Sequence, residues 1–540
     1  MSIPQPLEVT REDIKALRDR AKRGELSVST EDAELIESLA ETVVVLSEAV
    51  EKKGTSIRRL LKLLFGAKTE SKRQLFGKND ADDDPPDGGA QGKCGDKAKP
   101  RAKGHGRNGV DAYSGAQRVA VKHPDLKAGD PCPDCDRGKL RELDPSRMVQ
   151  VSAQTPVTAK VYECERLRCN TCGKAFTAPA PAGVAQRKYS RNVGVLIALL
   201  KYGSGMPFAR LEALERMAGI PLPASVQWEQ VAQTASPLWP VLDALEIQAA
   251  QGQVVHNDDT GMKVLDLMKQ RDESDAAEPG KKQRRGIFTS GIVSQVGTRR
   301  IALFRTGHRH AGENLGQILS RRAQDAPKPI LMCDALSRNL PKELEVLLAN
   351  CLGHARREFV DLVEDFPEPC RYVIEQLAEV YKNDAYAREQ KMDPRTRLAY
   401  HQEYSKSLME DLESWCHAQL DEHIVEPNSN LGKAINYLIR HWKALTLFLQ
   451  QPGAPLDNNI CERALKKAIL HRKNSMFYKT QNGARVGDLF MSLIHTCQLN
   501  GVNALDYLQT LTKHPDRLAT APEQWLPWTY RETIAALANA

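Results

Sequence analysis

The sequence predicts a multidomain α+β protein in which helical regions precede an α/β core and an all-helical insertion interrupts that core. Three observations support this fold class. The 540 residues exceed the length of one ordinary domain. The apolar fraction of 41% is large enough to form several cores. The spacing of apolar residues changes from the helical period to a period of two after Gly252, and the chain reads as helical again beyond Phe366.

Seven segments are predicted along the chain. They are an N-terminal helical coiled-coil region for dimerisation (1–76), a disordered acidic and basic linker (77–130), a small cysteine-rich domain (131–185), a helical region (186–248), the first part of the core (249–365), the helical insertion (366–452), and the end of the core with a C-terminal tail (453–540).

Composition excludes several classes of protein. No apolar run approaches the ~20 residues of a membrane helix, and the longest covers only Val193 to Leu200. The N-terminus lacks the pattern of a signal peptide, so a cytoplasmic location without membrane association is expected. The 76 Lys and Arg residues exceed the 69 Asp and Glu residues by seven, which permits a nucleic-acid partner without requiring one.

A narrow apolar stripe runs along the predicted N-terminal helix. In a 3-4 spacing that lapses at Lys53, it is formed by Ile36, Leu39, Val43, Leu46, Val50, Ile57, Leu60 and Leu64. This heptad pattern favours a dimerising coiled coil, and hence a homodimer or higher oligomer. Packing of the helix against another part of the same chain is the alternative.

The linker changes charge along its length. An acidic run from Asp80 to Asp87 is followed by Gly-rich sequence with many basic residues, whose members include Lys99, Arg101, Lys103 and Arg107. Such an arm can neutralise DNA phosphates. A solvated tether without contacts is the alternative.

Two Cys-x2-Cys pairs separated by 33 residues define the cysteine-rich domain. Cys132 and Cys135 form the first pair, and Cys169 and Cys172 form the second. Two thiolate pairs on tight turns can complete a tetrahedron around one structural Zn²⁺, which the sequence therefore predicts. Unligated surface turns would leave four exposed thiols, and Cys164 lies close enough to complicate the choice of ligands.

Three helices are predicted between residues 190 and 240. Val193–Lys201 is apolar, Phe208–Ala218 is amphipathic, and a third helix begins after Pro223. Two helices joined by a turn at Gly219 resemble a helix-turn-helix, which would read DNA. A plain helical bundle is the alternative, and Trp228, like Trp442, is interpreted as a core residue rather than a base-stacking platform.

The core begins with strands that end in acids. Strands are predicted at Val254–Thr260, Lys263–Leu267, Ile287–Ser294, Arg300–Arg305 and Pro329–Cys333, with a helix at Asn314–Arg321. Antiparallel-type strands, a helix, and a further strand followed by Asp334 form the order of an RNase H-like sheet. Asp258 and Asp334 therefore lie at strand ends, where carboxylates could bind the two Mg²⁺ ions used in phosphodiester cleavage.

A third acid is expected from the end of the chain. Beyond helices predicted at 372–381, 395–407 and 431–449, Asp457 can cap a helix that carries Glu462 in its first turn. Basic residues suited to phosphate contacts continue along that helix, and they are Lys466, Lys467, His471, Arg472 and Lys473.

Motifs spread over nearly the whole chain resemble those of IS66-family transposases. They are Phe65-Gly-x-Lys-Thr-Glu70, the two cysteine pairs, His256-Asn-Asp-Asp-Thr260, Cys351-Leu-Gly-His-Ala-Arg-Arg-Glu-Phe359, Asp457-Asn-Asn-Ile-Cys-Glu-Arg463, His471-Arg-Lys-Asn474 with Phe477, Gly483, Ser492-Leu-Ile494, Asn500-Gly501 and Tyr507-Leu508. The chain departs from the family pattern at Asp259, where Glu is usual, and at Ser475, where an aromatic residue is common. The second departure leaves Phe477 or Tyr478 as substitutes for stacking on DNA.

The resemblance implies a DDE transposase that cuts and joins double-stranded DNA at the ends of an insertion sequence. By motif, the catalytic and magnesium-binding residues are Asp258, Asp334 and Glu462, with Mn²⁺ as an alternative to the two Mg²⁺ ions. The implied DNA contacts are Arg356, Arg357, Arg463, Lys466, Lys467, Arg472 and Lys473, and the implied supporting residues are His256, His354, Asn458 and Asn459. Accessory transposition proteins and a bacterial, nucleoid-associated location are further implications.

Several alternatives remain at this point. A zinc-containing DNA-binding regulator would use the same helices without catalysis, and a resolvase-like nuclease would cut branched DNA without joining ends. His256 could orient a carboxylate or phosphate, or be a core histidine. Cys351 and His354 have the spacing of metal ligands, but we interpret them as non-metal residues because no second pair accompanies them.

Overall fold

A computed structural model describes residues 128, 130, 156–168, 175–179, 188–270, 284, 286–342 and 344–539. The predicted coiled coil, the basic arm and the four paired cysteines lie outside these residues. Of the described residues, 357–375 fall in one compact unit and the others in a second. The sheet and the candidate site belong to the second unit.

A five-stranded mixed sheet forms the centre of the second unit. After a short antiparallel pair, β1 (Arg166–Arg168) and β2 (Ala175–Thr177), its strands are β3 (Val254–Gly261), β4 (Phe288–Val296), β5 (Arg299–Gly307), β6 (Ile330–Cys333) and β7 (Leu347–Asn350). Their order across the sheet is β5-β4-β3-β6-β7. Strands β3, β4 and β5 are antiparallel, whereas β6 runs parallel to both β3 and β7. The chain is therefore a mixed α+β protein, as predicted.

Helices precede the five strands along the chain, separate some of them, and make up most of the chain after β7. Their bounds are α1 (Arg191–Ala198), α2 (Phe208–Met217), α3 (Ala224–Ala235), α4 (Trp239–Ala250), α5 (Ala311–Leu319), α6 (Leu352–Val360), α7 (Pro367–Glu389), α8 (Pro394–Tyr404), α9 (Lys406–Asp421), α10 (Asn430–Leu445), α11 (Asn459–Ser475), α12 (Gln481–Leu499), α13 (Ala504–Leu511), α14 (Pro515–Thr520) and α15 (Tyr530–Ala538). No helix in the described part of the chain combines the length and apolar character of a membrane span.

The three helices predicted between residues 190 and 240 are confirmed as α1, α2 and α3. The turn after α2 places Gly219 at φ +77°, where a side chain would be strained. Trp228 is half-buried and packs against the core. The helices predicted within 366–452 are also present, and α9 is an additional one.

The strand predicted at Lys263–Leu267 is wrong. Only Val264 forms a β-bridge, with Tyr478, and residues 265–270 are helical. Val264 and Leu267 are buried, and Leu265 is 39% exposed. The chain therefore leaves the extended conformation after Val264, and Leu267 is buried from the helical turns that follow.

Helix α12 covers the outer edge of the sheet. The backbone N–H groups of β5 that point outward would otherwise lack partners. Four polar residues spaced by four, three in α12 and one at its C-cap, accept these bonds at distances of 2.7–3.1 Å: Asp488 from Thr306, Ser492 from Phe304, Thr496 from Ala302, and Asn500 from Arg300. Edge pairing with another chain is thereby blocked at β5.

Candidate active site

Two carboxylates lie close to one another, Asp258 within β3 beyond its last pair with β6, and Asp334 directly after β6. The parallel register pairs His256 with Met332. Two residues further, the same register places Asp258 beside Asp334, which follows β6 directly. Neighbouring strands are about 4.8 Å apart, and residues two positions apart share a face of the sheet. Both acids are half-buried, and the charge of Asp334 acts on Asp258.

Helix α11 brings Glu462 to the same place. On this helix, the thiol of Cys461 donates to the carbonyl oxygen of Gly291 at 3.2 Å. Gly291 is the residue of β4 that pairs with Asp258. A Cβ on Gly291 would lie 2.9 Å from Leu465 Cγ, so the helix approaches the sheet as closely as a glycine allows. Glu462, one residue after Cys461, is half-buried.

Burial and charge act together on Asp258. Burial, together with the negative charges of Asp334, Asp259 and Glu462, raises the pKa of this carboxyl to about 7. The backbone N–H of Asp259, which donates to Asp258 Oδ1 at 2.7 Å, has the opposite effect. Three carboxylates grouped in this way fit a hard divalent cation, which prefers oxygen ligands and would offset their negative charge.

A buried asparagine fixes Asp334. Asn339, in the 3₁₀ turn Ser337–Asn339, donates from Nδ2 to Asp334 Oδ1. The backbone carbonyl oxygen of Asn339 accepts from Asn257 Nδ2 at 2.8 Å. The turn after β6 is thus tied both to the acid and to β3. Sequence reasoning did not identify Asn339 or Asn257, and its one available signal was the presence of polar residues beside each acid.

His256 and Asn458 join β3 to the start of α11. His256 Nδ1 lies 3.1 Å from Asn458 Oδ1, and Asn458 Nδ2 donates to the carbonyl oxygen of Asn257 at 3.0 Å. Burial lowers the pKa of His256 to about 4, so the ring is neutral. This geometry favours the core-histidine interpretation. The helix begins after Asn458 rather than after Asp457, although Asp457 still accepts from the backbone N–H of Asn459 at 3.1 Å.

Asp259 is engaged away from the other acids. Its side chain is only 1% exposed, with Oδ2 3.0 Å from His310 Nδ1 and Oδ1 3.4 Å from Arg338 Nη2. Successive strand residues point to opposite faces, so Asp258 and Asp259 diverge. Of the two, Asp258 is the one placed beside Asp334.

The basic residues predicted to contact DNA differ in their exposure and in their hydrogen bonds. Arg463, Lys466 and Lys473 are exposed on α11. Lys467 Nζ donates to the carbonyl oxygen of Gly203 at 3.3 Å, and Arg472 Nη1 donates to Thr260 Oγ1 at 3.3 Å and to the carbonyl oxygen of Gly261. On α6, Arg356 is half-buried and Arg357 is exposed. Asn459 Nδ2 donates to Asp457 Oδ2 at 2.7 Å.

The prediction that His471 contacts phosphate is wrong. His471 is 1% exposed and stacks on Tyr478 with ring centroids 4.3 Å apart. Burial lowers its pKa to about 3, so it is a neutral core residue. Tyr478 is 4% exposed and cannot stack on DNA either, whereas Phe477 is 41% exposed. Of the two substitutes considered for Ser475, only Phe477 is accessible.

Comparison with known proteins places this site within a family. The model described as "Transposase IS66 family" matches residues 188–486, which include all three acids. The chain is 25% identical over 451 residues to the uncharacterized protein y4hP of Sinorhizobium fredii, covering 78% of this chain and 76% of that protein. Two further uncharacterized proteins of the same organism, y4jD and y4qI, are 33% and 31% identical over 189 residues. These two alignments cover 34% of this chain and 36% and 34% of the relatives.

Proposed function

The chain belongs to the IS66 family of transposases, and from this premise we propose that it cuts DNA at the ends of an insertion sequence and joins the freed ends to a target. The observation that carries the proposal is the grouping of Asp258, Asp334 and Glu462, whose charges act on one another at the end of β3. Strand order and direction, with three antiparallel strands followed by two parallel ones, support an RNase H-like core.

In the proposed reaction, the three carboxylates hold two Mg²⁺ ions, or Mn²⁺ in their place. The ions would supply an activated water and neutralise charge on the scissile phosphate. Water attacks the phosphorus and the bond to the 3′ oxygen breaks, which leaves a 3′-hydroxyl and a 5′-phosphate. That hydroxyl then attacks a target phosphorus in line and displaces another 3′ oxygen, so no protein nucleophile is required.

The chain's own residues keep the acids in position during both steps. Asn339 holds the carboxylate of Asp334, and the His256–Asn458 pair holds the start of α11 against β3. Glu462 lies four residues after Asn458, about one helical turn further along the chain. The His256–Asn458 hydrogen bond therefore also positions Glu462 relative to β3. Exposed Arg463, Lys466 and Lys473 on the same helix are placed to neutralise DNA phosphates.

The remaining parts of the proposal rest on sequence patterns, and the cysteine pairs, the N-terminal heptads and the basic arm among them lie outside the described residues. Cys132, Cys135, Cys169 and Cys172 would hold one structural Zn²⁺, and the N-terminal heptads would form a dimer. Helices α1 to α3 and the basic arm would bind the element ends. Their roles follow from the sequence patterns.

One experiment separates a transposase from the alternatives. Purified full-length protein is incubated with labelled duplexes of the DNA flanking its own gene, with Mg²⁺, with Ca²⁺ or with chelator. The proposal expects Mg²⁺-dependent cleavage exposing a 3′-hydroxyl, followed by joining to a target plasmid. Binding without cleavage would indicate a DNA-binding regulator, and cleavage restricted to branched DNA without joining would indicate a resolvase-like nuclease. Either result would overturn the proposal.

A further inference from the structure

Three potential metal donors converge beside the acids, and two of them are not oxygen ligands. Cys351 precedes α6, His354 lies in the first turn of that helix, and Glu462 projects from α11. One ligand atom from each residue lies within 4.8 Å of the other two. His354 Nε2 is 3.9 Å from Glu462 Oε1. The sequence offered only the Cys-x2-His pair, and the fold supplies a third donor from more than a hundred residues away.

The surroundings of these donors suit a metal ion. The Cys351 Sγ atom is buried, which raises the pKa of the thiol, and it accepts the backbone N–H of Asn458 at 3.3 Å. A bound cation would favour the thiolate that metal ligation requires. His354 Nδ1 is buried and has no hydrogen-bond partner among the described residues. His354 and Glu462 keep side-chain exposures of 29% and 28%, so an ion can reach them from solvent.

Donor chemistry distinguishes this set from the magnesium site. Thiolate and imidazole select Zn²⁺ and similar borderline ions, whereas Mg²⁺ prefers oxygen ligands alone. Tetrahedral Zn²⁺ with sulfur, nitrogen and oxygen ligands holds its donors roughly 3.5 Å apart. A contraction of about 1 Å, achieved by rotating the partly exposed side chains of His354 and Glu462, would bring the donors to that spacing. A fourth position would remain open to water.

We propose that Cys351, His354 and Glu462 form a binding site for one zinc-like divalent ion, and that this ion competes with Mg²⁺ for Glu462. The first part rests on the geometry of the three donors alone. The second part rests on the proposed function, because it requires Glu462 to be a magnesium ligand. Occupancy by Zn²⁺ would withdraw Glu462 from Asp258 and Asp334 and stop DNA cleavage. The site would thus make the enzyme sensitive to the ratio of Zn²⁺ to Mg²⁺.

Cobalt titration tests the site itself. Full-length protein is stripped of metal under reducing conditions and titrated with Co²⁺, whose bonds to thiolate and imidazole give visible and near-ultraviolet absorption. Compared with wild type, Cys351→Ser and His354→Ala should each bind one equivalent less, and Cys351→Ser should lose part of the thiolate band. Cys416→Ser, which changes a buried thiol in α9, is the matched control and should behave as wild type. The predicted four-cysteine site contributes equally to all four proteins.

Circular dichroism verifies folding of each variant, and His354→Ala keeps the test valid if Cys351→Ser misfolds. An unchanged Co²⁺ stoichiometry and spectrum in folded His354→Ala would overturn the site.

A cleavage assay at fixed Mg²⁺ tests the competition. The Zn²⁺ concentration that halves the cleavage rate should be at least about tenfold higher for Cys351→Ser than for Cys416→Ser, equivalent to about 1.4 kcal/mol of binding. Equal values would refute the competition. Absence of cleavage by wild type at any Mg²⁺ concentration would refute the proposed function while leaving the Co²⁺ result intact.

Discussion

Asp258 and Asp259 are adjacent in β3, but their surroundings differ because successive side chains of a strand point to opposite faces of the sheet. Asp258 faces Asp334 and the helix that carries Glu462, and its pKa is raised to about 7. Asp259 turns to the opposite face, where His310 and Arg338 pair with a side chain that is 1% exposed. The first carboxylate is therefore poised for a cation, while the second is already neutralised by protein groups.

Replacing Asp259 with Asn should destabilise the protein without abolishing cleavage. Because His310 and Arg338 are 26% and 42% exposed, the loss should be smaller than the about 3–5 kcal/mol of a fully buried ion pair, and the midpoint of thermal unfolding should fall. At a temperature where the variant is folded, Mg²⁺-dependent cleavage should fall by less than about tenfold, because no interaction with the reacting phosphate is removed. Unfolding curves and single-turnover cleavage rates measure both effects. A folded Asp259→Asn variant without cleavage would show that the wrong acid has been assigned.

Residues of the candidate site differ in how far the sequence predicts their positions, for physical reasons. Asp258 and Asp334 could be located because a strand that ends in an acid leaves a local pattern. Asn339 could not, since its role depends on how a turn folds back onto Asp334. His471 is a core residue and not a phosphate contact, and its helical spacing from other buried residues could have predicted this. Cys461, Ala464, Ala468 and His471 follow the spacing i, i+3, i+7 and i+10, and all four are buried.

At the scale of elements, the match between α12 and β5 explains a motif that sequence alone left without a reason. Four residues of a helix span about 6 Å, and two residues of a strand span about 6.7 Å. Side chains spaced by four on α12 can therefore meet every second N–H of β5. Ser492 and Asn500, which belong to the family-like motifs, are two of these acceptors. Their place in the motif is accounted for by the edge of the sheet.

Asp488 in this helix should make stability depend on pH. Burial raises its pKa to about 7, whereas an unfolded carboxyl titrates near 4. The stabilisation that the protonated Asp488 carboxyl contributes to the folded state is fully present below about pH 4. It falls as the pH rises from about 4 to about 7 and is constant above about 7. Between those values, the free energy of unfolding decreases by at most about 1.4 kcal/mol per pH unit. Asp488→Asn removes the titration and can keep bonds to Thr306. The unfolding midpoint of the variant, relative to wild type, should thus be higher at pH 8 than at pH 4.5. A difference that does not change with pH would contradict the buried neutral carboxyl.

The contact between α11 and the sheet should be sensitive to a single methyl group. In Gly291→Ala, the new Cβ would meet Leu465 Cγ at 2.9 Å, which forces the helix or the side chain to move. Overpacking of this kind costs about 1–3 kcal/mol, and moving α11 displaces Glu462. Cleavage should fall more than DNA binding does, as measured by single-turnover rates and fluorescence anisotropy.

Two variants control that experiment. Gly307→Ala adds a methyl group to β5 where nothing lies within 4 Å, and it should have little effect. Adding Leu465→Ala to Gly291→Ala should recover part of the lost cleavage by making room. If Gly291→Ala cleaves as well as Gly307→Ala, then α11 is not held against the sheet as described.

For the whole molecule, the modest net charge conceals an uneven distribution. Residues 93–127 carry a net charge of +6 and residues 456–485 a net charge of +5, so the rest of the chain is −4. The second segment contains Glu462, and its exposed members include Lys466 and Lys473. Basic charge therefore lies on the helix that carries Glu462, where the proposed DNA substrate would need it.

Salt dependence of DNA binding should reveal these contacts. The logarithm of the affinity should fall linearly with the logarithm of salt concentration. Lys466→Gln and Lys473→Gln should each reduce that slope by about one, since each removes one phosphate contact. Lys406→Gln, which changes an exposed lysine on α9, should leave the slope unchanged. Equal slopes for all three variants would place the bound DNA away from α11.

The grouping of three carboxylates is tested most directly by conservative substitution in the cleavage assay. Asp258→Asn, Asp334→Asn and Glu462→Gln are compared with Glu345→Gln, which changes an exposed carboxylate that pairs with Lys328 at the surface. Each of the first three should lower Mg²⁺-dependent cleavage of element-end DNA at least about a thousandfold, or about 4 kcal/mol, while retaining binding to that DNA. Glu345→Gln should cleave as wild type does. Cleavage that persists in Asp258→Asn or Glu462→Gln would contradict the account.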